Sequence, residues 1–152
     1  MKINKKDIED YLKKWQKVLR LQDWDIKYQS IDKEWRKTGD IKIDDDDRTA
    51  ILLINTNNPK QTNLEQLIIH ELLHLKLWEI DRLTVDLIDN IFDKKDPKRE
   101  LVFSQFMHML EYIVNDLSKS LLELGGINKT VSFGRLETQL KEEFGCELSN
   151  NE

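Results

Sequence analysis

His70, Glu71 and His74 fall in the run His70-Glu71-Leu72-Leu73-His74, inside an apolar stretch from Leu64 to Trp78. On a helix, residues four apart lie one turn above each other, so both imidazoles point the same way and can grip one metal ion. Glu71 sits beside them. Two neutral nitrogen ligands and a carboxylate able to take a proton from an activated water are what metal-assisted hydrolysis needs, given a third ligand from elsewhere. The competing reading is a core helix whose histidines are satisfied by backbone or carboxylate partners. Burying three ionisable groups among Ile68, Ile69, Leu72, Leu73, Leu75 and Leu77 would cost several kcal/mol if they stayed unpaired, and a metal removes that objection.

A catalytic zinc normally has three protein ligands, and the carboxyl half of the chain offers two further candidates, His108 and Glu111. Phe103, Phe106, Leu110, Ile113, Val114, Leu117, Leu121 and Leu124 define an expected core stripe on a long helix, centred near Leu110. At about 100° per residue, Glu111 lies about 100° from that centre and His108 about 160° from it. Glu111 therefore borders the buried face, and His108 points closer to solvent. Glu111 is the expected third ligand, with His108 or an unrecognised residue as alternatives. His108 could instead donate to a developing oxyanion, a role for which Tyr112 is a weaker candidate.

His70-Glu71-Leu72-Leu73-His74 matches the HExxH signature, and the chain resembles the zincin metallopeptidases. A glutamate ligand on a downstream helix is the gluzincin arrangement. That resemblance implies Zn2+ held by His70, His74 and Glu111, Glu71 as general base, and a peptide or protein substrate. In the thermolysin-like branch an aspartate four residues after the ligand glutamate orients a ligand histidine; Asn115 stands there in this chain, with Asp116 one step on. A neutral second shell follows. With Leu21-Gln22-Asp23-Trp24-Asp25-Ile26 and the final ligand helix, the chain is similar to small metallopeptidase-like proteins of bacteriophage and other mobile elements. SprT-like relatives act near DNA and often add a cysteine-rich zinc ribbon, which this chain lacks, so a DNA-linked role is not implied. ImmA/IrrE-like zincins cut repressors, a regulatory role that no residue here selects.

Composition sets wider bounds. A chain of 152 residues is expected to form a single domain, 1–152, the size of a minimal catalytic unit. Its net charge of -5, from 24 basic and 29 acidic residues interspersed, argues against nucleic acid as a partner. Lys2 to Arg20 is locally basic but interrupted by Asp7, Glu9 and Asp10, as on a solvated helix face. Cys146 is the only cysteine, so neither a disulfide framework nor a four-cysteine zinc site is expected. Neighbouring Glu147 would raise its pKa, which argues against a nucleophile. Met1 to Asp10 is charged throughout and no stretch is long enough to span a bilayer. The expected setting is reduced and cytoplasmic, with no membrane partner; nothing speaks to oligomeric state.

The elements that must position these residues are read from periodicity. Ile8, Tyr11, Leu12, Trp15, Val18 and Leu19 predict an amphipathic helix over Asp7–Leu21, lying across a sheet. Trp24, Ile26 and Tyr28 alternate as in a strand, Ile31 to Lys37 reads as either strand or loop, and Ile41 and Ile43 after Gly39 predict a second strand. Asp44–Asp47 reads as a solvated hairpin turn, since it lacks the glycine and distal glutamate of a calcium loop. Arg48–Asn55 is a strand apolar on both faces; by resemblance to zincins it is the open-edged shelf for substrate. Thr62 and Glu65 form an expected capping box for a motif helix running to about Ile80. A shorter helix follows through Leu83–Phe92, a long one from Pro97 to Leu124 stopped by Gly125-Gly126, and a last one over Ser132–Phe144.

The fold class is thus α+β: by resemblance a minimal zincin fold, with a mixed or antiparallel sheet of three to four strands packed against an amino-terminal helix, the motif helix and the long ligand helix. Three functions are compatible with these residues. One is a zinc metallopeptidase; another is a non-catalytic metal-binding interaction or regulatory module on the same scaffold; the third is a helical structural protein without metal.

Overall fold

In the computed structural model, which describes residues 3–149, Asn4 starts the first helix by accepting a hydrogen bond from Lys6 N at 3.1 Å. Helix α1 (Lys5–Val18) then buries Ile8, Leu12 and Trp15 on one face. It ends earlier than its periodicity predicts. Arg20, at φ 56°, turns the chain so that Leu21 and Trp24 enter the core from outside the helix.

Strands β1 (Asp25–Ile31), β2 (Gly39–Asp44) and β3 (Thr49–Asn55) pair in the order β1-β3-β2. β1 lies parallel to β3 and β2 antiparallel to it, a mixed sheet. The ambiguous segment after β1 is a loop. Asp44–Asp47 makes the turn into β3, where Asp47 N donates to Asp44 Oδ1 at 3.3 Å. Ala50, Leu52 and Ile54 point from β3 into the core, while Ile51 is exposed on the opposite face. A strand this apolar is placed centrally, where both backbone edges are paired. This corrects the expected shelf: Arg48–Asn55 has no open edge, and β2 is the edge strand nearest the motif helix.

Helix α2 (Leu64–Lys76) carries the motif and is buried along most of its length. The expected capping box does not form. Asn63 caps the helix by accepting from Gln66 N at 3.1 Å, and Thr62 reaches Ser132 Oγ instead through its N and Oγ1, both at 3.0 Å. Glu65 turns inward and is fully buried. One carboxylate oxygen accepts from Lys14 Nζ and Trp15 Nε1, each at 2.8 Å; the other accepts from Ile127 N at 2.8 Å and Asn128 N at 2.9 Å. An ionised carboxylate offers about four acceptor sites, and all are filled. Burial alone would raise the Glu65 pKa, but these donors outweigh it and hold it below the ordinary value. One side chain thereby ties α2 to α1 and to the segment after the long helix.

Helix α2 stops at Leu77 rather than Ile80. Leu77, at φ -96° and ψ 6°, ends α2 and immediately precedes α3 (Trp78–Ile91), so the second helix starts five residues before Leu83. Helix α4 (Pro97–Gly125) begins as expected, with Pro97 in its first turn and Asp96 accepting from Lys98 N at 2.9 Å. Its buried face differs from the expected stripe. Leu110, Val114, Ser118 and Leu122 are buried, whereas Phe103, Ile113, Leu117 and Leu124 are exposed. α4 packs on α2 through this smaller-residue stripe, which turns Glu111 toward the motif helix. Helix α5 (Gly134–Phe144) closes the described chain, its side chains largely in solvent. Among the described residues no helix is long and apolar enough to cross a membrane.

Candidate metal centre

His70 and His74 sit mid-helix and in the last turn of α2, and Glu111 reaches them from α4. The two Nε2 atoms are 3.2 Å apart, Glu111 Oε2 is 3.5 Å from His70 Nε2, and Glu111 Oε1 is 3.1 Å from His74 Nε2. Such a group can hold a metal ion. The spacing is a quantitative test: a tetrahedral zinc with ligand bonds of about 2.0–2.1 Å sets its ligand atoms roughly 3.3 Å apart. The two Nε2 atoms match that value, and each imidazole has a different oxygen of the Glu111 carboxylate within 3.5 Å. The fit arises because α2 places its two rings 4.9 Å apart, centroid to centroid, and the carboxylate offers one oxygen to each. Hydrogen bonds from His70 and His74 hold Glu111 well below the usual carboxylate range, so it presents a full negative charge. Burial pulls the His74 pKa down, but the Glu111 hydrogen bond and the charges of Glu71 and Asp81 outweigh it and raise it.

Glu71 is buried beside the triad, and its carboxylate makes no hydrogen bond among the described residues. Burial pushes its pKa up to about 7; Asp40 and Glu111 add to this, and His70 and His74 oppose it. The group lies against Gly39 at the start of β2. A Cβ at position 39 would stand 2.8 Å from both Glu71 Oε1 and Leu67 Cδ1, so any larger residue here would displace the ends of those two side chains.

A cleft of about 650 Å³ opens over these groups, bounded by β2, α2, α4, α5 and the first turn of α3. His70, Glu71, His74, Glu111 and Asn115 all line it. The other residues singled out in the sequence are elsewhere: His108 and Tyr112 are exposed on α4 and do not line the cleft. The cluster therefore contains Glu111 and not His108. Asn115 makes no side-chain hydrogen bond to either imidazole among the described residues, so the expected orienting contact is not seen. Asp81, brought in by the early start of α3, is the acidic group that acts on His74 instead. Trp78 also lines the cleft, and its Nε1 is buried without a hydrogen-bond partner among the described residues. Neither Gly39, Trp78 nor Asp81 carries a local sequence signal for this role, because each depends on how β2 and α3 are placed. Comparison with known protein families, curated proteins and solved structures gave no match.

Proposed function

We propose that this protein is a zinc-dependent metallopeptidase of the zincin type, with His70, His74 and Glu111 as ligands and Glu71 as general base. The observation that carries the reading is the clustering of two imidazoles and one carboxylate within coordinating reach of one another, with an unpaired carboxylate next to them on the same helix. When bound there, zinc would lower the pKa of a coordinated water toward neutrality and polarise a carbonyl oxygen. Glu71 takes the proton from the attacking water and returns it to the departing amine. The Glu71 carboxylate has no competing hydrogen bond among the described residues, which leaves its oxygens free to accept and return that proton. The free edge of β2, rather than β3, receives an extended substrate by backbone pairing.

The donors would suit a non-catalytic metal-binding module equally well; Glu71 separates the two. The test is Glu71→Gln compared with the parent chain on unfolded protein substrates, with zinc content measured on both. The expected result is hydrolysis by the parent, its loss in the variant, and unchanged zinc. Equal cleavage rates would refute Glu71 as the base, and no cleavage by the zinc-loaded parent across a broad substrate panel would favour the binding module.

A further inference from the structure

Three cations from segments far apart in the chain line the cleft, which the carboxylates of Asp40 and Glu142 also line. Arg36 comes from the loop before β2, Lys60 from the loop before α2, and Arg135 from the first turn of α5. Their placement is set by backbone contacts. Thr38 Oγ1 accepts from Lys60 N at 3.2 Å and from Gln61 N at 3.3 Å, fixing the Arg36 loop against the start of α2. Gly134 packs so closely on the Lys60 carbonyl that no Cβ could stand there, which fixes Arg135 beside the same loop. None of the three side chains has a carboxylate partner among the described residues. Neighbouring Lys37, by contrast, is paired with Asp40 at 3.1 Å.

We infer that these three cations bind a carboxylate of the substrate on the C-terminal side of the cleaved bond. The inference rests on the peptidase reading above and adds a substrate class to it. Its direction follows from the placement of β2. Thr38 lies at the start of α2, Gly39 touches Glu71, and Asp45 past the far end of β2 pairs with Arg82 of α3. β2 and α2 therefore run the same way along the cleft. A peptide that pairs antiparallel with β2 runs the opposite way, so its C-terminal portion arrives at Arg36, Lys60 and Arg135. The carboxylate is either an acidic side chain or the chain terminus itself; both offer the oxygens that arginine and lysine recognise.

Peptide hydroxamates test this, because the hydroxamate group anchors on the metal and fixes the register. In one series a short alanine–leucine peptide extends C-terminally from the hydroxamate and carries aspartate, its asparagine isostere, or no acid with either a free or an amidated end. In the other series the peptide precedes the hydroxamate. Affinity is read by fluorescence anisotropy on the zinc-loaded full chain. Aspartate or the free end should bind roughly tenfold tighter than its neutral counterpart in the first series alone, a ratio worth about 1.4 kcal/mol. Whichever gains more identifies the carboxylate source. The preference should fall in Lys60→Gln and Arg135→Gln, vanish when Arg36→Gln is added, and shrink with salt in the unsubstituted protein. Equal affinity of charged and neutral probes, or a preference that survives all three substitutions, overturns the inference and leaves the peptidase reading standing. Failure of every neutral hydroxamate to bind overturns the metal reading and the inference with it.

Discussion

Glu111 is the residue on which the metal centre depends most sharply, because it is the only donor outside α2. Zinc supplied at 100 times its dissociation constant should stabilise the folded chain by about 2.7 kcal/mol. For a domain of this length each kcal/mol moves the melting temperature by about 2–4 °C, so the shift should be roughly 5–11 °C. Glu111→Ala should abolish most of it. In the presence of chelator the same substitution removes only the hydrogen bonds to His70 and His74. Glu111 is 45% exposed, so solvent screening limits that loss to about 1 kcal/mol or less. The two effects are separable in one assay: thermal denaturation of parent and variant with chelator and with graded zinc, alongside elemental analysis. A parent chain with the same melting temperature in zinc and in chelator would refute the metal centre. A Glu111→Ala chain that keeps the whole zinc-induced shift would show that the third ligand lies elsewhere.

Other substitutions probe the scaffold and the site. Glu65→Ala leaves Lys14 and Trp15 without their buried partner and should cost about 3–5 kcal/mol in urea denaturation. Because the folded pKa of Glu65 lies below its ordinary 4.5, its contribution is complete above that value and lost as pH falls through the folded pKa; Glu65→Gln should flatten the acid limb of a stability-versus-pH curve. Asn63→Ala removes the α2 cap, worth about 1 kcal/mol, and strands the carbonyls of Asn128 and Thr130 that the amide also bonds, so a loss well above 1 kcal/mol is expected by the same measurement. Gly39→Ala drives a methyl group into Glu71 and Leu67 and should cut hydrolysis at least tenfold while zinc content stays at the parent level. His108→Ala should leave both zinc content and melting temperature unchanged, and loss of zinc in that variant would contradict the exposed placement of His108.

The α+β class, the motif helix and the phase of Glu111 were legible because they depend on local periodicity. An i, i+4 pair faces one way on any helix, and Pro97 and Gly125-Gly126 bracket α4 wherever it packs. What was misread depends on partners distant in the chain. Thr62 and Glu65 satisfy the local pattern of a capping box, yet the donors that claim Glu65 lie 50 and 62 residues away at Trp15 and Ile127. Strand order is similarly non-local. The apolar character of Ala50–Ile54 suits a central strand, whereas the open-edged shelf follows only from the resemblance. The break at Leu77 has neither glycine nor proline to announce it. On α4 the most apolar stripe is not the buried one, because Leu110, Val114, Ser118 and Leu122 form the buried face.

These non-local contacts bear directly on the chemistry. A metal needs only three donors, and α2 with α4 supplies them. A general base also needs a wall that excludes water from one side of its carboxylate while leaving the other side open. In the proposed mechanism Glu71 is that base, and the backbone of β2 at Gly39 lies against its carboxylate. Asn63 and Glu65 fix the first turn of α2 to the segment after α4, and Thr38 fixes the start of β2 to the loop that leads into α2. Both attachments lie at or just before the amino-terminal end of the motif helix. These anchors lie on the side of the cleft that carries Arg36, Lys60 and Arg135. The opposite end, where α2 breaks at Leu77 into α3, carries Trp78 and Asp81 and has no comparable buried anchor among the described residues. In the proposed mechanism that asymmetry places the buried anchors of the Glu71 helix at its amino-terminal end, beside the start of β2.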